Sequence, residues 1–111
     1  MKSPIIHGYE YIQSLLRLKW VPEIVEGLAK GHDRFSLLKK NIDFIGETEL
    51  KRKLRYLVEA GVVVKTGRGH EVRYSLTTFG WEIDHLFSHI RDIWLRYVDG
   101  TGTSRSMVDP Y

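Results

Sequence analysis

Cationic side chains between residues 46 and 61 recur with the period of an α-helix. Positions i, i+3, i+4 and i+7 of a helix lie on one face. The residues at these positions are Thr48, Lys51, Arg52 and Arg55. The opposite face carries the apolar stripe Leu50, Leu54 and Leu57. A guanidinium can bond O6 and N7 of one guanine, and Lys or Thr suits phosphates or base edges. We therefore predict that these four side chains read bases in the major groove of duplex DNA.

The same segment can also be an ordinary surface helix. Glu47 and Lys51 are four residues apart, as are Arg55 and Glu59, and this spacing favours ion pairs along a helix. Carboxylates near a DNA groove repel phosphate, unless Glu47 or Glu49 accepts a hydrogen bond from a cytosine amine. The helix pattern alone leaves both interpretations open.

The basic charge of the chain is concentrated around this helix. The net charge is +3 over 111 residues, but residues 30–73 alone hold eleven Lys and Arg against six Asp and Glu. Such an excess suits a phosphate partner, although most charge runs are solvated helix faces. Seven residues of this segment are predicted to contact the DNA backbone or to form a wing that reaches an adjacent groove. They are Arg34, Lys39, Lys40, Lys65, Arg68, His70 and Arg73.

The elements that must position these side chains follow from periodicity, Gly, Pro and capping residues. After a loose arm over residues 1–6, the pattern predicts a helix over 9–18 and a second helix from Pro22 to Gly31. A short strand at Arg34-Phe35, a helix capped by Ser36 and a helix over 46–61 follow. Strands over 62–64 and 71–76 are joined by a turn at 67–70, and a long helix capped by Thr77 or Thr78 runs to Val98. This order predicts a mainly α fold with a small β-hairpin, a winged helix-turn-helix domain over residues 1–98 with helices for dimerisation at both ends. Residues 99–111 lack any period and are predicted to be a disordered tail.

The long final helix carries more apolar surface than a domain of this size readily covers. Its apolar residues span a stripe of about 140°, wider than a coiled-coil seam. We predict that part of the stripe packs on its own domain and part on a second copy, as in a closed two-fold dimer. The predicted interface consists of Tyr9, Ile12, Leu16, Ile83, Leu86, Phe87, Ile90, Ile93, Trp94 and Tyr97. A stripe that is entirely intramolecular core remains the alternative.

Several other functions are not supported by residue patterns. The chain has no Cys, which excludes disulfides and Cys-ligated metals. His85 and His89 have a spacing that could ligate zinc, but no third ligand accompanies them, so we predict no metal and no cofactor. No nucleophile–base pair or phosphate loop is visible, so we expect no enzyme activity. No apolar run reaches the length of a membrane helix and no signal peptide is visible, so we expect a cytoplasmic protein without membrane contact.

Four blocks of the sequence follow a family pattern in residue type and spacing. They are Lys19-Trp20; Gly31 with Arg34-Phe35-Ser36-x-Leu38; Leu50-x-x-x-Leu54-Arg55-x-Leu57-x-x-x-Gly61-Val62-Val63; and Tyr74-Ser75-Leu76-Thr77-x-x-Gly80. With these blocks, residues 7–98 resemble the HxlR-type branch of MarR-like winged-helix transcription regulators. The resemblance implies a homodimer on an imperfect palindrome of double-stranded DNA, with helix 47–59 in the major groove, hairpin 65–73 as the wing, and the first and last helices in the dimer.

The sequence departs from this family in three places. Many members carry a Cys near the start of the first helix, and some use it to sense oxidants, but the matched residue here is His7. Gly46 stands where the family often has a Ser that caps the reading helix. The hairpin is short and lacks the usual prolines.

The sequence as a whole predicts a sequence-specific DNA-binding transcription regulator, most simply a homodimeric repressor that blocks a promoter. The alternative is a winged-helix module that binds protein and not DNA, because a fold does not fix a function. A small-molecule effector is a further expected partner, and Trp81, Trp94 and Tyr97 are candidates for its pocket, although aromatic residues at helical spacing are more often core.

Overall fold

Five helices and one antiparallel hairpin form the structure, a computed structural model that describes residues 3–99. In chain order the elements are α1 (Pro4–Arg17), α2 (Val21–Ala29), α3 (Phe35–Asn41), α4 (Glu47–Glu59), β1 (Val63–Thr66), a 3₁₀ turn (Gly69–Glu71), β2 (Arg73–Leu76), α5 (Thr78–Ile93) and a π-helical turn (Trp94–Val98) that continues α5. The predicted winged helix-turn-helix fold is confirmed. Apart from Asp99, the predicted tail lies outside the described residues, as do residues 1 and 2 of the predicted arm.

The first helix begins earlier than the periodicity predicts. The Ser3 hydroxyl accepts a hydrogen bond from the Ile6 amide at 3.2 Å, and Pro4 occupies the first helical position. Proline is favoured there because its missing N–H would have no helical partner. The prediction of a loose arm is therefore wrong for residues 4–6.

The region before α3 is not a strand. Arg34 is extended but is the N-cap residue of α3, and Phe35 is already helical, so Ser36 lies inside the first turn and is not the cap. A single backbone hydrogen bond, from the Tyr74 amide to the Asp33 carbonyl at 2.8 Å, connects this segment to the hairpin. This one hydrogen bond is next to the extended Arg34, but a single bond does not make a β-strand.

The hairpin pairs Val63 with Leu76 and Thr66 with Arg73 in antiparallel register. Gly67 lies in the left-handed region with a φ of 82°, where a side chain would be strained. The second strand starts at Arg73, two residues later than predicted, because residues 69–71 coil into the 3₁₀ turn.

The core is apolar throughout, and no polar or charged side chain of residues 3–99 is buried in it. Its fully buried members include Leu15 of α1, Ile24 of α2, Leu38 of α3 and Leu54 of α4. Each helix therefore has one face fixed against the others, and only its outer face is available to a partner.

Thr77 joins α5 to the hairpin. Its hydroxyl accepts a hydrogen bond from the Gly80 amide at 3.0 Å and donates to the Gly61 carbonyl at 2.6 Å. Of the two predicted caps, Thr77 is the one that α5 uses. This residue links the start of α5 to the end of α4, so the wing, α4 and α5 share one anchor.

Candidate nucleic-acid interface

The helix α4 presents one buried and one exposed face. Leu50, Leu54 and Leu57 are at most 1% exposed and fix the helix against the core. The opposite side carries four side chains that are all exposed. These are Thr48, Lys51, Arg52 and Arg55, which we call the reading face. The structure therefore brings together the four residues that the helical spacing grouped.

Acidic residues of α4 partly neutralise the reading face. Glu47 lies 3.8 Å from the Lys51 ammonium. Glu49 accepts hydrogen bonds from both Arg52 and Lys53, the latter at 2.5 Å. The bond from Lys53, supported by that from Arg52, lowers the pKa of the Glu49 carboxyl below its usual value.

Arg55 is arranged differently from its neighbours. The expected pair between Arg55 and Glu59 is not formed, and Arg55 makes no ion pair within residues 3–99. Of the two arginines on the reading face, only Arg52 is engaged by a carboxylate of residues 3–99.

The helix start is also consistent with the weak cap anticipated from Gly46. Gly46 is the N-cap residue and provides no side-chain hydrogen bond. Glu47 and Glu49 in the first turn compensate, because carboxylates are favoured near the positive end of a helix dipole.

The seven residues predicted to contact the backbone or form the wing are all exposed. Arg34 is the N-cap residue of α3, Lys39 and Lys40 lie in its last turn, and Lys65, Arg68, His70 and Arg73 belong to the hairpin. Of these residues, Lys65 borders the same groove as Lys51 and Arg55 of the reading face.

Arg73 is exposed but is engaged within the protein. Its guanidinium bonds the Asp33 carboxylate at 2.9 Å, beside the backbone bond between Tyr74 and Asp33. Arg73 thus ties the wing to the loop before α3, a role that the sequence did not suggest.

Two positioning residues were missed in the sequence. Glu49, which holds Arg52, could have been found from its spacing of three residues. Asp33, which holds Arg73 across 40 positions, has no local signal. Phe35 is a further neighbour of the reading face, with its ring centroid 5.9 Å from the Lys51 ammonium.

The predicted dimer residues do not all lie on the surface. Ile83 is only 3% exposed and belongs to the core of its own chain, so it offers nothing to a partner. Ile12, Leu16, Leu86 and Phe87 are half-buried. The remaining five are exposed: Tyr9, Ile90, Ile93, Trp94 and Tyr97.

The end of α5 borders an open groove of about 540 Å³ against α1 and α2. Trp94 lines it with Leu16 and Phe87, but neither Trp81 nor Tyr97 does, so the three aromatic residues suggested for an effector pocket are not brought together there. Arg91 at the groove bonds Glu26 of α2 at 2.6 Å, and this bond lowers the pKa of the Glu26 carboxyl. The ion pair holds α5 on α2 and leaves the aromatic end exposed.

Neither a metal-ligand cluster nor a membrane-spanning helix is found among the described residues. His85 and His89 are both exposed, and no group of three His, Asp or Glu side chains within residues 3–99 is placed to hold a metal ion. None of the helices in that range is long and apolar enough to cross a membrane.

A helix-turn-helix of α3 and α4, followed by a hairpin and flanked by exposed cations, defines a DNA-binding regulator of the winged-helix class. The chain belongs to the HxlR-like helix-turn-helix family, whose model matches residues 15–101. No curated protein is similar enough to count as a relative.

Solved structures share the fold. The reduced form of the transcriptional regulator YodB from B. subtilis superposes with a TM-score of 0.71 at 23% identity, over 89% of this chain and 97% of that chain. Diamide-treated YodB gives 0.66 at 24% identity, over 93% and 98%. A protein from Thermoplasma volcanium, described as a possible HxlR family transcriptional factor, gives 0.63 at 25% identity, over 74% and 80%.

Proposed function

We propose that the protein is a homodimeric repressor that binds an imperfect palindrome in double-stranded DNA and blocks a promoter. In this arrangement α4 enters the major groove, and the hairpin contacts the neighbouring backbone or minor groove. The observation that carries the proposal is the reading face, four exposed side chains opposite three leucines that are at most 1% exposed. A helix that reads the major groove is held against its own domain on one side and presents cationic side chains to the DNA on the other.

Exposed aromatic side chains on the first and last described helical segments support the proposed dimer. Tyr9 of α1 is 67% exposed and Trp94, the first residue of the π-helical turn that continues α5, is 49% exposed, although both are large and aromatic. Pairing these surfaces about a two-fold axis would remove them from water. It would also place two reading helices about 34–36 Å apart, one turn of the duplex.

Binding to duplex DNA should depend steeply on salt. Each phosphate contact releases condensed counterions, so log K is expected to fall against log salt concentration with a slope of several units. Fluorescence anisotropy on random-sequence duplex at a series of salt concentrations measures this slope, and selection from a random library then identifies the preferred site. The alternative, a winged helix that binds only protein, predicts no binding to duplex even at low salt.

Replacing Arg55 by Ala should cost about 1–3 kcal/mol at the selected site and relax the preference at one base pair. The reason is that no carboxylate of residues 3–99 forms an ion pair with Arg55 that would compete with a base. Arg52→Ala should cost less, because part of the Arg52 interaction is already taken by Glu49. Both variants are measured by anisotropy on the selected duplex and on the same duplex with single base changes.

Arg55→Lys is the matched control for this prediction. It keeps the positive charge but loses the fork that bonds O6 and N7 together. If Arg55→Lys retained the full base preference, or if Arg55→Ala weakened all sequences equally, Arg55 would be a phosphate contact and not a reader.

A further inference from the structure

A recess of about 410 Å³ lies between α2 and the turn that joins α3 to α4. Trp20, the N-cap residue of α2, and Phe44, in the turn, both line it. None of its lining residues belongs to the reading face or to the seven residues predicted for the backbone and the wing. The recess therefore shares no side chain with the proposed DNA contacts. Its volume is within the range of small-ligand sites, about 300–1,000 Å³.

The two aromatic residues of the recess have backbone conformations that favour glycine. Within residues 3–99, Trp20 with a φ of 75° and Phe44 with a φ of 71° are the only residues other than glycine in the left-handed region. A side chain is strained there. Phe44 is also 97% exposed, so its ring adds almost nothing to the core. The fold alone does not account for a phenylalanine at this position.

The recess also holds carboxylates that the fold does not use. Glu23 and Asp43 are exposed and form no ion pair within residues 3–99. A third carboxylate, that of Glu26, bonds Arg91 at 2.6 Å and lies 3.7 Å from Lys30, the one cation among the described lining residues. The recess therefore offers two uncommitted carboxylates to a positively charged ligand.

A further polar group of the recess lacks a partner. His32 lines the recess, and its Nδ1 is buried without a hydrogen-bond partner within residues 3–99. Buried polar atoms of native proteins are nearly always paired. An unpaired nitrogen in the wall therefore favours a ligand that carries hydrogen-bond donors.

A guanidinium group combines the required properties. It is planar, it stacks on aromatic rings, and its fork of N–H donors fits carboxylates. The Trp20 ring already attracts a cation, since the Lys19 ammonium lies 5.1 Å from the ring centroid. We propose that the recess binds a guanidinium group, which donates to Glu23 and Asp43 and packs its plane against Phe44. The source of the group is either free arginine or an arginine side chain of a protein partner. This site goes beyond DNA binding and does not depend on it.

Calorimetric titration of the full chain without DNA tests the site. The probe is Nα-acetyl-L-argininamide, and Nα-acetyl-L-citrullinamide is its neutral counterpart of nearly the same shape. The arginine compound is expected to bind at least about fivefold more tightly, since an exposed ion pair changes an equilibrium by up to about that factor and two carboxylates are available. No saturable binding of the arginine compound, or equal affinities for the two probes, overturns the proposal.

Titration with free L-arginine identifies the source of the guanidinium group. Free arginine has the same guanidinium but adds an α-carboxylate, whereas the capped probe resembles a residue within a chain. Weaker binding of free arginine than of the capped probe assigns the site to an arginine side chain of a protein partner. Binding that is at least as tight assigns it to the free amino acid.

Replacing Phe44 by Gly should separate binding from stability. Loss of the ring should weaken binding of the capped probe about two- to fivefold, the contribution of an exposed cation–π contact. The Tm should be equal to or above that of the wild type, because glycine adopts a positive φ without strain and the ring packs on almost nothing. Unchanged affinity in this variant would show that Phe44 is not part of the site and would overturn the proposed geometry.

Two charge substitutions in the recess should shift the affinity in opposite directions. Glu23→Gln should weaken binding of the capped probe about two- to fivefold, and Lys30→Gln should strengthen it by a similar factor. Glu71→Gln is the matched control, because Glu71 is an exposed carboxylate of the 3₁₀ turn in the hairpin, outside the recess. A gain of affinity in Lys30→Gln is not open to explanation by misfolding. Equal effects of Glu23→Gln and Glu71→Gln would contradict the assigned location.

Discussion

Gly80→Ala is expected to destabilise the fold by about 3 kcal/mol. Gly80 lies in the first turn of α5, where an added Cβ would overlap the Val62 carbonyl oxygen and press on Leu76 at 3.0 Å. Overpacking of this kind costs about 1–3 kcal/mol, and occasionally more. Alanine is better than glycine in a helix by about 1 kcal/mol, which is too little to offset the overlap with backbone.

The Val62 carbonyl has little freedom to move away from the added methyl group. It accepts a hydrogen bond from the Thr77 amide at 3.0 Å and lies 3.1 Å from the Thr77 hydroxyl, whose single proton it shares with the Gly61 carbonyl. Displacing it weakens the bond from the amide, which is worth about 1 kcal/mol, as well as the shared contact. The start of α5 would therefore separate from β1, and the wing would lose its anchor.

Thermal unfolding followed by circular dichroism measures this effect. A loss of about 3 kcal/mol corresponds to a fall in Tm of about 10–20 °C for a domain of this size. Gly8→Ala is the matched control, since Gly8 lies within α1 and a Cβ there would meet nothing within 4 Å. That variant should be as stable as the wild type or slightly more stable. Similar Tm values for the two variants would show that the close approach at Gly80 has no energetic consequence.

Local signals in the sequence were sufficient for most of the fold. The leucine spacing of α4, its stop before Gly61, and the Thr77 cap of α5 all depend on residues within a few positions of one another. Such short-range patterns are enough to predict a helix and its ends, because a helix forms from residues that are neighbours along the chain. The same logic failed at Pro4, where the Ser3-Pro4 start signal was present but residues 1–6 were predicted to be a loose arm.

Contacts between distant residues were not predictable in the same way. The Asp33 to Arg73 ion pair and the approach of Gly80 to Val62 both join parts of the chain that periodicity treats separately. Nothing in the residue types distinguishes Arg73, which pairs with Asp33, from Arg68, which forms no ion pair within residues 3–99. The charge pattern therefore identified the basic region but not the internal partners within it.

For the apolar stripe of α5, periodicity likewise does not predict which residues are core and which belong to the proposed dimer surface. A period of 3.6 residues groups Ile83 with Ile90 and Trp94, but it does not say which part of the stripe meets the chain's own core. The structure makes the division, with Ile83 inside and Trp94 outside. The proposed interface is therefore concentrated at the carboxyl end of α5 and on α1.

Trp94→Glu is expected to convert the proposed dimer into monomers. Trp94 is 49% exposed beside Ile90 and Ile93, which are also exposed, so its side chain is free to pack against a second copy. A carboxylate at this position would be buried on association without a partner, a cost of several kcal/mol. Sedimentation velocity at a fixed protein concentration distinguishes the two species directly.

Loss of the dimer should also weaken operator binding. Two linked reading helices gain about 10²–10⁴ in affinity over one, because the second contact forms at a high effective concentration. Trp94→Glu should therefore lower the affinity for the palindrome by about that factor, while leaving affinity for an isolated half-site nearly unchanged. Trp94 borders the groove formed with α1 and α2, which no reading-face residue lines, so a direct effect on base contacts is not expected.

Trp81→Glu is the matched control for the dimer. Trp81 is 45% exposed on the same helix, but it is rotated from Trp94 by roughly 140° around the helix axis. The same change of an aromatic residue to a carboxylate there should leave both the dimer and the operator affinity intact. If both variants dissociate the dimer, the substitution acts through α5 as a whole; if neither does, the two copies associate through another surface. Only dissociation by Trp94→Glu alone supports an interface at the end of α5.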